Sequence, residues 1–491
     1  MWALAALFLL KTAILGLAGT PLFDVPDEVG HLATVTDLLE GRGVPRSGAS
    51  TIPEDLVARW KGEAASPEPI ANWVAIHPPG YHVLATPFLA AARVLTSDPD
   101  LRLRVPRLLS AIAGAGALLL FVAVLRRAGA DPLASLAGAG AVGFLPMFSH
   151  MASGVSNDTL VALAGGAAAL FWMRLLKSGS FADGCRLAVT LAAAGGVKMT
   201  TLPIALALLL LVPGRLAATG ARRIAQWAGV AAIALSLPGL WVLRQWATAG
   251  RSAVHPLSGR GLDPAGFLAY LRDLPVADHT FKNFVGLMGW TGTGAGEVRW
   301  FQISGIFLFP WLVAALASLL LTAAWCWRTD RESGIGPGTW LLGWAPAVTV
   351  FLFAFGALLG RHGGGSLVKG LLYALLLAVS FLAIPRAWTR RRRTEAAVFS
   401  SLFAILVFSL FYLFNGWEAF RNTGQMRATH GRYFFVALPF LLSGFALPGF
   451  LLLRPGRLRD ALLAGALLLL AANEAAFFLL RVLPFYAGSA R

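Results

Sequence analysis

Apolar residues follow one another in long unbroken runs from one end of the chain to the other, and polar residues gather in the gaps between them. Runs of roughly 17 to 25 such residues match the length of a helix that crosses a bilayer. In hydrocarbon only helices and closed barrels satisfy every backbone group, and continuous rather than alternating runs select helices. The pattern predicts an all-α polytopic membrane protein. About thirteen spans are expected, at roughly 2–19, 103–125, 134–150, 158–176, 184–197, 199–213, 225–243, 303–325, 339–359, 367–385, 396–414, 433–453 and 460–480. The stretch 79–95, PGYHVLATPFLAAARVL, is apolar too, but it is short, follows His77-Pro78 and carries Arg93. It is expected to lie along the membrane interface rather than to cross.

Two connections are long. Residues 20–102 form a first loop that holds most of the chain's acidic residues and the interfacial helix, and residues 244–302 form a second, Gly-rich one. Long ordered loops commonly carry function. With no separate soluble region and no repeat, residues 1–491 read as a single integral membrane domain.

Composition sharpens this. The chain of 491 residues is 57% hydrophobic and only 13% charged, with a mean hydropathy of +0.69. That charge content is about half the usual share of a soluble domain. A net charge of +17 would suit a nucleic-acid binder. Here the basic residues sit in short clusters, such as Arg126-Arg127, Arg222-Arg223 and Arg390 to Arg393. In the thirteen-span layout these clusters share one side, which the positive-inside rule makes cytoplasmic. No nucleic-acid partner is expected. The N-terminus is then cytoplasmic, the C-terminus outside, and both long loops extracytoplasmic. The first span lacks a basic leader and is expected to be retained. Cys185 and Cys326 give neither a disulfide framework nor metal-ligand spacing.

The chemistry gathers on the outer side. The first loop opens with PLFDVPDEVGH, residues 21–31, where Pro26 suits the first turn of a helix. Asp27 and His31 are then i and i+4 on one face, and Asp24 lies one turn before Glu28. Acids at a helix start are also favoured by the helix dipole alone. As a cluster, Asp24, Asp27, Glu28 and His31 can deprotonate a hydroxyl or hold a divalent cation, and an oxygen-rich set with one imidazole suits Mg²⁺ or Mn²⁺ better than Zn²⁺. AIHPPGYH, residues 75–82, brings His77 and Tyr81 to the loop's return, either to line a site or merely to break the chain. SGVSNDTL, residues 153–160, places Ser156 or Asn157 as a cap and Asp158 in the first turn of the fourth span. Its Asn-Asp-Thr sequon lies too near the membrane to be glycosylated. GGVKMTTLP puts Lys198 at a helix end, to bind phosphate or to snorkel. RNTGQMRATHGRYFF brings Arg427, His430, Arg432 and Tyr433 to the outer side, against the positive-inside bias, and arginine grips phosphate in a bidentate way. Carboxylates for a hydroxyl and cations for a phosphate suggest transfer from a phosphate-linked donor to an alcohol.

Taken in order, PDEVGH, HPPGYH, RVPRLLSAIAG, SNDTL, GGVKMTTLP and HGRYFFVALPF resemble the GT-C membrane glycosyltransferases. They resemble in particular an uncharacterised bacterial family of predicted membrane glycosyltransferases with a PDE-x-x-H opening and a late GRY. More distant relatives are the protein O-mannosyltransferases and the lipid A aminoarabinose transferases. The resemblance implies a GT-C like bundle, a polyprenyl-phosphate sugar donor, and an inverting transfer to a lipid, glycan or protein acceptor outside a bacterial inner (plasma) membrane. It implies Asp27 as general base, with Glu28 beside it and Asp158 as a second catalytic carboxylate. It further implies Lys198, Arg432 and Arg427 on the donor phosphate, with His31, His77, Tyr81, Asn157 and Tyr433 also on substrate. Metal dependence differs among such enzymes. The chain lacks the large soluble domain of the oligosaccharyltransferase catalytic subunits and the extra modules of the O-mannosyltransferases, which leaves the acceptor open. A polysaccharide polymerase or ligase would use similar donors. A secondary transporter would need intramembrane ionisable groups, for which only Lys11 and Glu474 stand out, and these two are also placed to pair.

Overall fold

A computed structural model describes residues 1–61, 69–249, 263–289, 301–333, 393–424, 426, 430–453 and 455–489. It is an all-α polytopic membrane protein; among the described residues the one sheet is a two-residue ladder pairing Leu287-Met288 with Phe301-Gln302. The chain begins with α1 (Trp2–Ile14), which continues as a π-turn to Gly19. The first loop folds into α2 (Glu28–Leu39), α3 (Glu54–Lys61), α4 (Gly80–Leu95) and α5 (Pro99–Arg104). There follow α6 (Arg107–Ala128), α7 (Pro132–Gly143), α8 (Pro146–Ala152), α9 (Asp158–Ser178), α10 (Phe181–Val197), α11 (Leu202–Leu211) and α12 (Gly220–Ala249). Next are α13 (Pro264–Asp273), α14 (Val276–Val285), α15 (Phe309–Ser333) and α16 (Arg393–Thr423). A broken stretch from Gly431 to Leu452, α17 (Arg457–Phe477) and α18 (Leu483–Ser489) complete the described chain.

Eight of these stretches are long and apolar enough to cross a bilayer, or nine if the bent pair α7–α8 counts as one span. The sequence expectation of thirteen differs for physical reasons. The 134–150 run breaks by 67° where Pro146 starts a new helix after Gly143. The runs at 184–197 and 199–213 form helices of 17 and 10 residues, at and below the lower end of spanning length. The expected spans at 339–359 and 367–385 lie outside the described residues. The stretch 79–95 forms α4, a separate helix of 16 residues that keeps Val83, Leu84, Val94 and Leu95 exposed.

Helix ends are set by local chemistry. Asp131 caps α7 ahead of Pro132, Ser180 caps α10, and Gly129 and Gly179 close α6 and α9 in the left-handed conformation. The core helices α6 and α9 are rich in Ala and Gly, so backbones come close. At Gly165 a Cβ would sit 2.3 Å from the Val436 carbonyl oxygen, so the Gly431–Leu452 stretch packs directly on α9. Within the bundle Lys11 and Glu474 do pair. The Lys11 ammonium lies 2.7 Å from Glu474 Oε2 and also donates to Ser149 Oγ (2.9 Å) and the Gly143 carbonyl (2.8 Å). This binds α1 to α17 with every ammonium proton used, a structural tie of the kind that makes an intramembrane charge tolerable.

Candidate active site

The PLFDVPDEVGH stretch does not run smoothly into a helix. Phe23 and Asp27 hold φ of 64° and 67°, and α2 begins only at Glu28. Left-handed backbone at a non-glycine residue costs about 1–3 kcal/mol and persists only where the surroundings over-determine it. Here Glu28 does so. It is turned inward, wholly buried, against an equally buried Arg107. Its Oε1 accepts from Arg107 Nε (2.7 Å) and the Val155 amide (2.8 Å), and its Oε2 accepts from Arg107 Nη2 (2.7 Å) and the Phe23 amide (2.8 Å). The remaining Arg107 protons go to the Gly16, Thr20 and Pro21 carbonyls at 2.7 to 2.8 Å. All five guanidinium donors are used. Glu28, expected beside Asp27 among the catalytic carboxylates, is therefore the clamp that shapes the turn.

The same turn throws Asp27 the other way. Its side chain caps nothing and is 19% exposed, whereas those of Glu28 and Asp158 are 0% and 2% exposed. Asp27 Oδ2 meets Arg432 Nη2 at 2.5 Å, and Oδ1 accepts from the Trp73 indole at 2.9 Å. Arg432 Nη1 in turn lies 3.5 Å from Asp158 Oδ2, and Asp158 Oδ1 meets Lys198 Nζ at 2.5 Å. Tyr433 lies beneath both cations, its ring centre 5.2 Å from Lys198 Nζ and 5.7 Å from Arg432 Cζ. Four segments far apart in sequence thus build one neutral chain of alternating charges. Each is placed by a break in regular structure. Asp158 opens α9, Lys198 is extended where α10 stops, and Arg432 stands in a 3-10 turn from Gly431 to Ala437. That turn needs Gly431, where a Cβ would come 2.3 Å from the Phe284 amide nitrogen of α14.

Burial opposes the charge on Asp27, but the Arg432 guanidinium, with help from His31 and Trp73, holds its carboxyl well below the usual carboxylate range. Burial lowers the Lys198 ammonium and Asp158 opposes that shift. Behind Asp27 lie three imidazoles. His31 Nδ1 shares a hydrogen bond with His82 Nε2 at 2.9 Å, and His77 stacks on His31 at 6.3 Å. Burial, reinforced for His77 by Lys198, pushes His77 and His82 down to about 3, so they are neutral at ordinary pH.

Other expected residues take different places. Tyr81 is buried, its hydroxyl bonded to Ser110 Oγ (2.8 Å) and to the Ser156 amide (3.0 Å); it anchors the SNDTL turn instead of lining a pocket. Asn157 is buried beside Asp158 with no hydrogen-bond partner on either amide atom among the described residues. Arg427 lies outside the described residues. The suggested metal set diverges: Asp24 accepts from Tyr486, Glu28 faces Arg107, His31 faces His82, and Asp27 faces Arg432. No group of three or more His, Cys, Asp or Glu suited to a metal occurs among the described residues. These four do not fit a shared cation. Nothing in the sequence pattern gives Arg107, Trp73 or His82 a role of its own. Arg107 lies in the RVPRLLSAIAG stretch and His82 in HPPGYH, while Trp73 carries no signal beyond its place in the acidic loop.

Directly beside the charged chain, the turn that carries Arg432 and Tyr433 presents Phe434 to an apolar cavity of about 270 Å³. Phe281, Phe284, Trp311, Leu319 and Leu438 line it, from α14, α15 and the stretch after the turn. Charged cluster and apolar cavity share one backbone segment.

No family model matches the chain, and no curated protein matches it. Among solved structures the chain is similar to that titled ArnT from Cupriavidus metallidurans in the apo state, at 15% identity and a TM-score of 0.37 over 91% of this chain and 77% of that one.

Proposed function

We propose that the protein is a membrane glycosyltransferase that moves a sugar from a polyprenyl-phosphate donor to an acceptor hydroxyl on the extracytoplasmic side of a bacterial inner membrane, with inversion. The observation that carries this reading is the accessible carboxylate Asp27, held at 2.5 Å by an arginine that stands two residues before Phe434, which lines an apolar cavity. The donor's tail fits that cavity and its phosphate fits Lys198 and Arg432. Arrival of the phosphate draws Arg432 away from Asp27. Losing that cation raises the basicity of Asp27 at the moment an acceptor needs a base. The acceptor oxygen then bonds to the anomeric carbon as the bond from that carbon to the phosphate oxygen breaks. The hydroxyl proton passes to Asp27, and the departing polyprenyl phosphate keeps the electron pair, its charge met by Lys198 and Arg432. The neutral His77 lies near Asp27 without competing for the phosphate. No step is routed through a metal here, because Asp24, Asp27, Glu28 and His31 face four different partners.

The test is sugar release from a panel of polyprenyl-phosphate sugars by purified protein, with Asp27→Asn alongside. Turnover is expected to fall by about 10²-fold or more while donor binding persists, the scale of losing a general base. A wild type that consumes no donor, or an Asp27→Asn variant with normal turnover, overturns the proposal.

A further inference from the structure

Among the described residues Trp73 is the aromatic group hydrogen-bonded to Asp27. Tryptophans in a membrane-interface belt bury the ring in the apolar zone and turn the indole N–H toward the wet headgroups. Trp73 does the reverse. Its N–H points inward to Asp27 Oδ1 at 2.9 Å, and the residue is 39% exposed. The side chain of Trp60 stands beside it, ring centres 5.9 Å apart and planes 53° apart, so the two indoles make an open corner. Trp60 Nε1 is itself buried without a hydrogen-bond partner among the described residues.

The corner is rigidly mounted. Asn72 is buried, donates to the Gly30 carbonyl (3.3 Å) and to Thr34 Oγ1 (3.1 Å), and accepts from the Val74 amide (3.0 Å). Residues 50–52, which lead into the helix bearing Trp60, pair with 70–72 through Ile52 N–H to Ile70 O and Asn72 N–H to Ser50 O, both at 2.8 Å. Gly30 makes room for this mounting, since a Cβ there would lie 2.6 Å from Val74 Cγ2. A large ring held open to solvent by so many fixed contacts is pre-organised for a partner.

We propose that Trp73, with Trp60 at its side, is a stacking platform for a carbohydrate acceptor, a pyranose ring laid on the indole face with one hydroxyl delivered to Asp27. This rests on the transferase reading above and names its acceptor class. The base must lie within hydrogen-bond reach of the acceptor hydroxyl, so whatever covers the open side of Asp27 also covers Trp73. Lys198 and Arg432, the phosphate side of the site, stand on the other flank of Asp27. An indole offers a flat apolar face to the C–H face of a sugar ring, while its N–H stays committed to the carboxylate. Trp73 is thus a binding residue through its face and a positioning residue through its nitrogen.

The test is ligand-observed NMR of the full-length protein in nanodiscs. The probes are methyl α- and β-pyranosides of the common hexoses, with short Ser/Thr peptides and an acyclic polyol as comparators. At least one pyranoside is expected to bind with saturation concentrated on the protons of one ring face. Trp73→Ala is expected to weaken it about tenfold or more, the scale of one lost aromatic contact with its buried area. Trp73→Phe, which keeps a face and loses the N–H, is expected to bind the pyranoside within about threefold of wild type while shifting the acid limb of the pH profile of transfer upward, because Asp27 loses a donor. The proposal is overturned if no pyranoside binds, if Trp73→Ala binds it as wild type does, or if the peptides bind and depend on Trp73 instead. Donor turnover is scored separately. A wild type that binds pyranosides but consumes no polyprenyl-phosphate sugar sinks the transferase reading alone, and one that consumes donor but binds no pyranoside sinks the platform alone.

Discussion

Replacing Glu28 by glutamine preserves shape and removes one charge, and the geometry leaves the amide no good orientation. Each Glu28 oxygen accepts two hydrogen bonds, Oε1 from Arg107 Nε and the Val155 amide, Oε2 from Arg107 Nη2 and the Phe23 amide. Whichever way the glutamine is flipped, its NH₂ faces two donors. Two hydrogen bonds are lost, and Arg107, 1% exposed, is left without its counter-charge. Removing one partner of a buried pair costs about 3–5 kcal/mol. The left-handed Phe23, held through its amide by Glu28, is then free to relax. Glu28→Gln is therefore expected to lower unfolding stability in mixed micelles by about 3–5 kcal/mol. Asp27, one residue away on a turn that no longer holds, is expected to drift, and an error of 1 Å at a catalytic group costs on the order of 10²-fold in rate. Asp27→Asn should show the opposite split, with rate lost and stability much less affected. If Glu28→Gln unfolds like wild type yet has lost turnover, the clamp reading is wrong and Glu28 acts in the chemistry.

Two further outcomes follow from the charge chain and the helix tie. Asp27 has a folded-state pKa below its unfolded value, so its pairing stabilises the protein above the unfolded value and is lost as pH falls through the folded one; wild type should keep kcat/KM through mildly acidic pH, whereas Arg432→Gln, which leaves the opposing effect of burial on Asp27, should move the acid limb to higher pH, and a profile identical to wild type would disprove the coupling. Lys11→Met alone or Glu474→Gln alone should destabilise by about 3–5 kcal/mol by stranding the partner, while the double variant recovers most of that loss; additive losses in the unfolding assay would show that the two groups do not act as a pair.

Much of the fold was readable because spans announce themselves by length and apolarity. Where length failed, Pro146 broke one run and α10 and α11 stayed short. The members of the charge chain were also readable one by one: Asp27, Asp158, Lys198 and Arg432 each stood out as a polar residue at a span end. Their partnerships were not. Whether Asp27 or Glu28 faces the open side is decided by a left-handed turn, and that turn is held by Arg107, a residue 79 positions from Glu28. Helical spacing pointed to a shared cluster of Asp24, Asp27, Glu28 and His31; the turn sends them to four different partners. Tyr81 was expected on substrate through the family resemblance, but its hydroxyl is used up by Ser110 and Ser156. Trp73 was silent because nothing local to it asks for an exposed ring. Its reason lies on α2, in the carbonyl and hydroxyl that hold Asn72.

The tie between Lys11 and Glu474 joins residues 463 positions apart. A ribosome adding about 5–20 residues per second makes the lysine long before its counter-ion, with a delay on the order of half a minute to a minute and a half. Through that interval the first helix carries a charge that costs roughly 2.5–3.5 kcal/mol at the middle of a bilayer by insertion scales. The Gly143 carbonyl and Ser149 hydroxyl emerge much sooner and give it two neutral partners. The birth order of the chain is therefore written into this contact: the first helix enters the membrane unfinished, and the penultimate one neutralises it.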